Sequence, residues 1–518
     1  MTFWFDVRMS PDPRTPCLVG VAQHTVRDLP APEPLDLWEL AAREAAADAG
    51  APGLLERLDS IQVVYTESWQ YDDPVARLAE RLKADPRHRV YSTVSGTAPQ
   101  TLLGTAAAAI AAGEMDAALV AGAEAFATRR ALRRAGERPA WSHPAHPRPP
   151  YGWERPPHPA ELAHELFLPV HTYPIMETAR RAAAGESIEE EFRGRGRMMA
   201  PMTRVAAANP HAWERVVRTP EELVTPSAQN RFVGWPYTKR TVALAEVDQA
   251  AAVIMVSTGL ADRLGIPRDR RVHLRGWAYA EDTWEVAARP VMGASPAMAA
   301  AARHAFARAG VGADDLGALD LYSCFAVALR AACAATGIDP LDPRGLTVTG
   351  GLPYAGAPVS VYVLHSTAAM ARRLRAEPGP GPVHGLVTGV GMHLTKHTYA
   401  VWSTEPGEAF GGGRGGDPGS GAGAGLAGLR GAAVPVHTAE PVPIADTWEG
   451  TATVAGYTVA HGRDGAAERG ILVVDLPGGA RAHACVRDPG LMAEAEAAEL
   501  VGREVRLVPD GAVNAATW

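Results

Sequence analysis

The stretch Tyr91–Gln100, YSTVSGTAPQ, with the Ala-rich run Thr101–Ala112 behind it, constrains this chain more than any other segment. It reads as a strand end, a tight Ser-Gly-Thr-Ala-Pro turn, and a helix whose first turn begins near Pro99. Proline suits that position because its missing N–H is not needed there and its fixed φ matches the helix. The run TLLGTAAAAIAAG is small and apolar on nearly every face, which predicts a buried helix. A buried helix whose N-terminus opens onto a polar turn offers free N–H groups and a positive dipole end to an anion or a reacting side chain. Ser95 is therefore the first residue to consider for chemistry; a plain β-to-α turn in a sheet protein is the competing reading.

Around this turn the chain alternates between apolar strands and amphipathic helices. CLVGVAQ from Cys17, the helix Leu35–Ala49 stopped by Gly50, IQVVYT (61–66), the helix 74–82 and DAALVAGAEA (116–125) follow in order. Unbroken apolar strands alternating with helices belong to an α/β sheet covered on both faces. From Thr128 to about Arg240 the alternation breaks. WSHPAHPRPPYGWERPPHP (141–159) is dense in Pro, His and aromatics, and helices over 175–184 and 187–199 mix with loops, as in a lid or substrate-shaping insertion. AAVIMVS (251–257) resumes the sheet. A second α/β round then runs through VHLRGWAYA (272–280), a helix 295–309, LDLYSCFAV (319–327), TGGLPYAGAP (349–358), a helix 359–374, GLVTGVGM (385–392) and TYAVWS (398–403). LVTGVG holds the place in its half that LVAGAE holds in the first, which suggests a duplication. Residues 405–433 are Gly-rich and predict a flexible linker. The segment 434–518 reads as short strands, with DLPGGA as a hairpin turn, predicting a small all-β domain such as a five-stranded barrel. The expected division is 1–127 and 241–269 for the first half, 128–240 for the insertion, 270–404 for the second half, then linker and β domain.

With 518 residues and 47% apolar content the chain has ample material for several domains. A formal charge of −8 without a long basic block argues against nucleic acid as the main partner. Four scattered cysteines form neither a disulfide framework nor a zinc cluster. The start MTFWFDVRMSPDPR has no apolar core of signal-peptide length, and no run of 18 apolar residues occurs. These features predict a cytoplasmic protein with no membrane span and no metal.

The order of pieces resembles the thiolase superfamily, a duplicated α/β fold of five layers (αβαβα) with an inserted loop domain. More narrowly it resembles the thiolase-like proteins near the sterol-carrier-protein-type thiolases that carry an additional C-terminal, OB-like domain. The segments carrying the likeness are VSGTAPQ (94–100), GAEA (122–125), ANPHAW (208–213), PYTKR (236–240), LYSCF (321–325), TGGLPYAGAP (349–358) and VTGVGMHLTKHTYAVWS (387–403). The resemblance implies coenzyme A or acyl-CoA as ligand, and a monomer or homodimer.

The departures bear on mechanism. A thiolase acylates a cysteine at the helix tip, a good nucleophile and leaving group; by register on Gln100 that position is Ser95. The histidine of the thiolase Gly-His-Pro triplet is replaced in Gly356-Ala357-Pro358. The second cysteine falls at about Val387, and the oxyanion-holding Asn or His at Tyr322. The polar groups left for chemistry are Ser95, Tyr322, Tyr354, Cys324, His393 and His397, with Lys396 beside the last two. Each has a structural alternative as a satisfied buried Tyr, an inert thiol or a loop histidine. Gly351, Gly356, Gly389 and Gly391 leave room for a thin pantetheine chain, and Lys239, with Arg193, Arg195 and Arg197, are candidates for its phosphates. Two readings follow. One is acyl-thioester chemistry without cysteine, either retro-aldol C–C cleavage, as in thiolase-like aldolases that work beside an OB-fold partner, or acyl transfer through Ser95. The other is a non-catalytic acyl-CoA binder.

Overall fold

The computed structural model describes residues 12–149, 151–376, 381–407, 433–436 and 439–518. Most of the linker expected over 405–433 thus lies outside the described residues. The first α/β round comprises β1 (Pro16–Thr25), α1 (Pro34–Asp48), β2 (Ser60–Val63), α2 (Pro74–Leu82), β3 (His88–Tyr91), α3 (Ala98–Ala112) and β4 (Ala117–Ala125). α4 (Phe126–Arg134) leads into the insertion, which supplies α5 (Pro159–Ala163), α6 (Pro169–Ala183), α7 (Ile188–Ala208), α8 (Pro220–Val224) and the short strands β5 (Phe232–Gly234) and β6 (Tyr237–Thr238). β7 (Asp248–Ser257) returns to complete a sheet of order β1-β7-β4-β2-β3. Its central strands β4 and β7 are buried along their whole length, as their unbroken apolar sequences require.

After α9 (Thr258–Arg263), the second round runs β8 (His273–Glu281), α10 (Pro296–Ala309), β9 (Leu316–Asp320), α11 (Ala326–Thr336), α12 (Tyr362–Ala376), β10 (His384–Gly391) and β11 (Lys396–Ser403). The order β8-β11-β10-β9 repeats β1-β7-β4-β2, so the duplication is real at the level of topology. α1 packs on the outer face of the first sheet and α10 on that of the second, while α3 and α12 lie between the sheets. This is the five-layered α/β architecture read from the sequence. The strand expected over 319–327 ends at Asp320. An apolar run of that length does not by periodicity distinguish strand from buried turn, and here Leu321–Phe325 turn into α11.

The sheets come close because α3 is thin. Ten of its residues are buried, and a Cβ on Gly104 would collide with the Trp277 indole of β8. Any side chain at Gly104 would wedge the second sheet away.

The C-terminal part contains β12 (Ile444–Ala445), β13 (Gly450–His461), β14 (Ala467–Asp475), β15 (Arg481–Val486), α13 (Pro489–Ala497), β16 (Glu504–Asp510) and β17 (Val513–Thr517). Pairing runs β13–β14–β15–β17–β16 and back to β13, a closed five-stranded ring with one helix added to the strands. Its interior holds Val454, Tyr457, Val459, Leu472, Val474 and Leu507. β5 of the insertion joins the ring's edge at β13 through Gly234 and Ala460, and Trp235 stacks on Tyr457 at 5.3 Å. Among the described residues no helix is long and apolar enough to cross a membrane.

Several histidines are folded away neutral. Burial pushes His273 down to about 4 and both His365 and His483 down to about 3. Below the ordinary imidazole value near 6.5 the unfolded chain takes up protons that these rings refuse. Each therefore withdraws stability as pH falls from about 6.5 toward its folded value, at up to about 1.4 kcal/mol per pH unit. His483, whose two ring nitrogens are buried without partners, isolates the effect. In urea unfolding between pH 7 and 5, His483→Gln is expected to flatten the acid-side loss of stability relative to the wild type.

Candidate functional site at the meeting of two helix tips

The turn before α3 is built by its own hydroxyls. The Thr97 amide donates to Ser95 Oγ (3.2 Å) and the Ala98 amide to the Ser95 carbonyl (3.1 Å). Ser95 Oγ lies 2.7 Å from Thr97 Oγ1. From the second half, Ser360, two residues before α12, accepts the Ser95 amide at 3.0 Å. The N-terminal ends of the two central helices thus meet at one residue pair, one from each half. From the insertion, the Gly152 carbonyl accepts the Val94 amide (3.0 Å). Ser95 is 6% exposed.

Three glycine positions press on this point. A Cβ on Gly391 would fall on the Ser95 hydroxyl, and one on Gly96 would meet the Val390 carbonyl and stand 2.5 Å from the Tyr322 hydroxyl. A Cβ on Gly389 would meet Thr398 Oγ1 and approach the Gly96 carbonyl at 3.1 Å. Gly391 therefore lines Ser95, while Gly389 and the Tyr322 hydroxyl lie against Gly96. Tyr322 is fixed by its amide on Thr388 Oγ1 (2.8 Å) and its ring edge-on to Tyr362 at 5.6 Å. The Tyr362 hydroxyl in turn reaches Asp320 (3.1 Å) and Thr349 (2.6 Å). Burial holds the Tyr322 phenol far above its ordinary value, so at neutral pH it keeps its proton.

Cys324 lies beside the Tyr173 hydroxyl, and burial pushes its thiol up to about 12. Tyr173, from α6, stacks on Phe325 at 4.3 Å. Its hydroxyl donates to the Met392 carbonyl and accepts the Leu394 amide, both at 3.1 Å. His393 faces the edge of the Tyr173 ring at 6.4 Å and is lowered to about 4 by burial and by Arg289. Lys396 pairs with Glu154 over the Trp284 ring, and Glu154 also accepts the Thr93 hydroxyl at 2.7 Å, so this pair covers the turn from the insertion side.

Other candidates point elsewhere. His397 Nε2 contacts both Asp282 (3.0 Å) and Ser295 (3.2 Å). Ser295 donates to Asp282 and caps α10 through the Met298 amide. Ser295, His397 and Asp282 look like a hydrolase triad, but one nitrogen makes both contacts, so the ring cannot pass a proton from serine while held by the carboxylate. The Tyr354 hydroxyl is buried without a partner and feels Glu214, Arg218 and Arg195 of the insertion. A Cβ on Gly351 (φ +80°) would collide with the Met202 methyl and stand 2.6 Å from Ser323 Oγ, and one on Gly356 (φ +109°) would collide with the Gln249 amide. Ala357 is buried, its amide on the Leu244 carbonyl, and Val387 is a buried β10 residue. Lys239 is exposed beyond β6, Arg193 pairs with Glu189, Arg197 is exposed, and Arg195 is buried against Pro236, Phe192 and Tyr237. Among the described residues no three His, Cys, Asp or Glu side chains group as metal ligands.

The structure thus brings together Ser95, Tyr322, Cys324, His393, Gly389 and Gly391, and sets Tyr354, His397, Gly356 and Lys239 apart. Sequence reasoning missed Gly96, Thr97, Tyr173, Arg289 and Ser360. Ser360 follows the Gly-Ala-Pro triplet closely enough to have been suspected; Tyr173 lies in α6 just ahead of the stretch 175–184 expected as helix and carries no signal of its own.

The family model for the thiolase-like protein type 1 additional C-terminal domain matches residues 434–512. The crystal structure of a monomeric SCP2-thiolase-like protein type 1 from Mycobacterium smegmatis is 30% identical, covering 98% of this chain and 100% of that one, with a TM-score of 0.79. The Ltp2-ChsH2(DUF35) aldolase (19% identity, 75% of this chain and 98% of that one, TM-score 0.57) shares the fold. So does an acetyl-CoA acetyltransferase from Syntrophomonas wolfei (16%, 75% and 99%, TM-score 0.55). No curated protein matches the chain.

All four cysteines are buried and free, and burial pushes the thiols of Cys17, Cys324 and Cys333 up to about 12 and raises that of Cys485. A thiolate-requiring reagent such as dithionitrobenzoate at pH 8 is expected to find no fast thiol in the native chain and four in guanidinium. A single fast-reacting thiol would reinstate a cysteine mechanism.

Proposed function

This chain belongs to the SCP2-thiolase-like proteins of type 1, within the thiolase superfamily, and from that premise we propose that it binds an acyl thioester of coenzyme A where α3 and α12 meet and acts on it without an acyl-enzyme. The observation that carries the reading is the company Ser95 keeps. Its hydroxyl is joined to the Thr97 hydroxyl and amide, groups that take no proton at neutral pH, and Tyr322 close by holds its own. A serine without a base is a poor nucleophile. The same groups make a good cradle for a carbonyl oxygen, because preorganised donors stabilise charge that develops on it.

Retro-aldol cleavage suits such a cradle. In a 3-hydroxyacyl thioester the hydroxyl proton passes to solvent water, the bond between C2 and C3 breaks, and its electron pair moves onto the thioester as an enolate. A proton then returns to C2, giving a carbonyl compound and a shortened acyl thioester, with no oxidant or reductant consumed. Tyr322 would hold the enolate oxygen as a hydrogen-bond donor. The barrel carried on the same chain supports the comparison with aldolases that use a separate partner. A second reading, a binder without turnover, draws support from the tight enclosure of Ser95 and Tyr322 (each 6% exposed).

One assay separates the readings. The chain is incubated with acyl-CoAs and 3-hydroxyacyl-CoAs while carbonyl product, free thiol, intact mass and binding heat are followed. Cleavage of the 3-hydroxy substrates is expected, with Ser95→Ala retaining it and Tyr322→Phe losing on the order of 100-fold in kcat. A mass increment on Ser95 would show acyl transfer instead, and heat without product would show a binder.

A further inference from the structure

We infer that the C-terminal barrel is a clamp that holds the turn 391–396 against Ser95 through two separate sets of contacts. The turn is poorly suited to holding itself. Met392 and Leu394 both have φ of +55°, a left-handed backbone that residues with side chains seldom adopt and that persists where surrounding structure imposes it. Apart from the Thr395 amide's own bond to the Gly391 carbonyl (3.2 Å), the restraint comes from outside the second sheet. Tyr173 grips the Met392 carbonyl and the Leu394 amide (3.1 Å each). Arg289 donates to the His393 carbonyl (2.8 Å) and to the Thr395 hydroxyl (3.0 Å).

Both grips are anchored in the barrel. Tyr173 rides on α6, whose Thr178 hydroxyl donates to the Tyr457 carbonyl and accepts the Tyr457 amide, both at 2.9 Å. One turn on, Arg181 bonds the Tyr457 hydroxyl (3.0 Å) and Glu499 (2.8 Å). Arg289 belongs to the segment 287–290, whose carbonyls at Ala287 (3.0 Å) and Arg289 (2.6 Å) accept from Arg481 of β15. Arg481 is itself steadied by Asp475 at 2.7 Å. The barrel thus reaches the turn once through β13 and α6, and once through β15 and the 287–290 segment. Since a Cβ at Gly391 would already fall on the Ser95 hydroxyl, a small shift of the turn opens or closes the space over Ser95. Tyr173, Arg289 and Arg481 are positioning residues in this scheme, and the scheme holds whatever ligand the site takes.

Amide hydrogen exchange on the full chain without ligand tests it. In Arg481→Ala the amides of Leu394 and Thr395 are expected to exchange on the order of tenfold faster, while those of β4 and β7 stay as in the wild type. Arg481→Lys, still able to donate to the carbonyls, is expected to restore most of the protection. Arg503→Ala, which cuts a contact within the barrel to Glu494, is expected to leave the turn unchanged. Thr178→Val reads the other set of contacts if Arg481→Ala does not fold. Unchanged exchange at the turn in both Arg481→Ala and Thr178→Val would overturn the inference. So would an increase spread evenly over the chain. Coenzyme A binding by the wild type, titrated separately, tests the thioester reading independently.

Discussion

The structure depends on the closeness of two sheets across a single layer of helix. α3 can occupy that layer because its residues are small, and Gly104 lets the Trp277 ring lie directly on its backbone. The same closeness recurs at the tip of the helix. There Gly96, Gly389 and Gly391 give up side chains so that the backbones of the two halves meet around Ser95, with Tyr322 seated over Gly96. Interiors are packed tightly enough that a methyl group at such a contact must displace something. The geometry of the site is therefore a by-product of how the layers pack, and the same glycines serve both.

That enclosure also sets the chemistry. Taking a phenol or a thiol out of water disfavours its charged form, so Tyr322 and Cys324 keep their protons and buried imidazoles stay neutral. A cysteine at this helix tip would need its thiolate stabilised by the dipole or by a nearby cation. With serine and its hydroxyl neighbours no such charge is called for, and the helix N-terminus is left free to stabilise charge on a ligand. Ser95 and Ala357 thus fit one another: neither offers a group whose use requires charge to be made in a dry place.

Much of the architecture was legible because apolar strands bounded by Gly and Pro carry their own signal, and Ser95 was found because a proline-started, small-residue helix marks its own tip. Where reading fell short the cause was packing. α6 and α7 run through Pro174 and Pro201, positions at which local chemistry says a helix should end, because burial against the second half and the barrel holds them helical. LDLYSCFAV gave a strand too long because the donors that converge on Asp320, from Thr347, Thr349, Tyr362 and Ser366, lie outside it in sequence. Tyr173, Arg289 and Arg481 were invisible for the same reason, since their partners are up to 221 positions away.

The buried arginines at the barrel interface deserve a physical account, because a buried cation is expensive unless it is fully occupied. Arg181 meets a phenol and a carboxylate through Nε and Nη2 and lays its charge by the Trp235 ring at 5.0 Å, while Nη1 is buried with no hydrogen-bond partner among the described residues. Arg481 meets one carboxylate and two close backbone carbonyls. Apolar residues in those places would bring the same surfaces together, but hydrophobic contact is non-directional and would tolerate sliding. A planar guanidinium with several fixed donors does not. Its contribution lies in orientation more than in adhesion, and orientation is what a turn with two left-handed residues next to Ser95 requires.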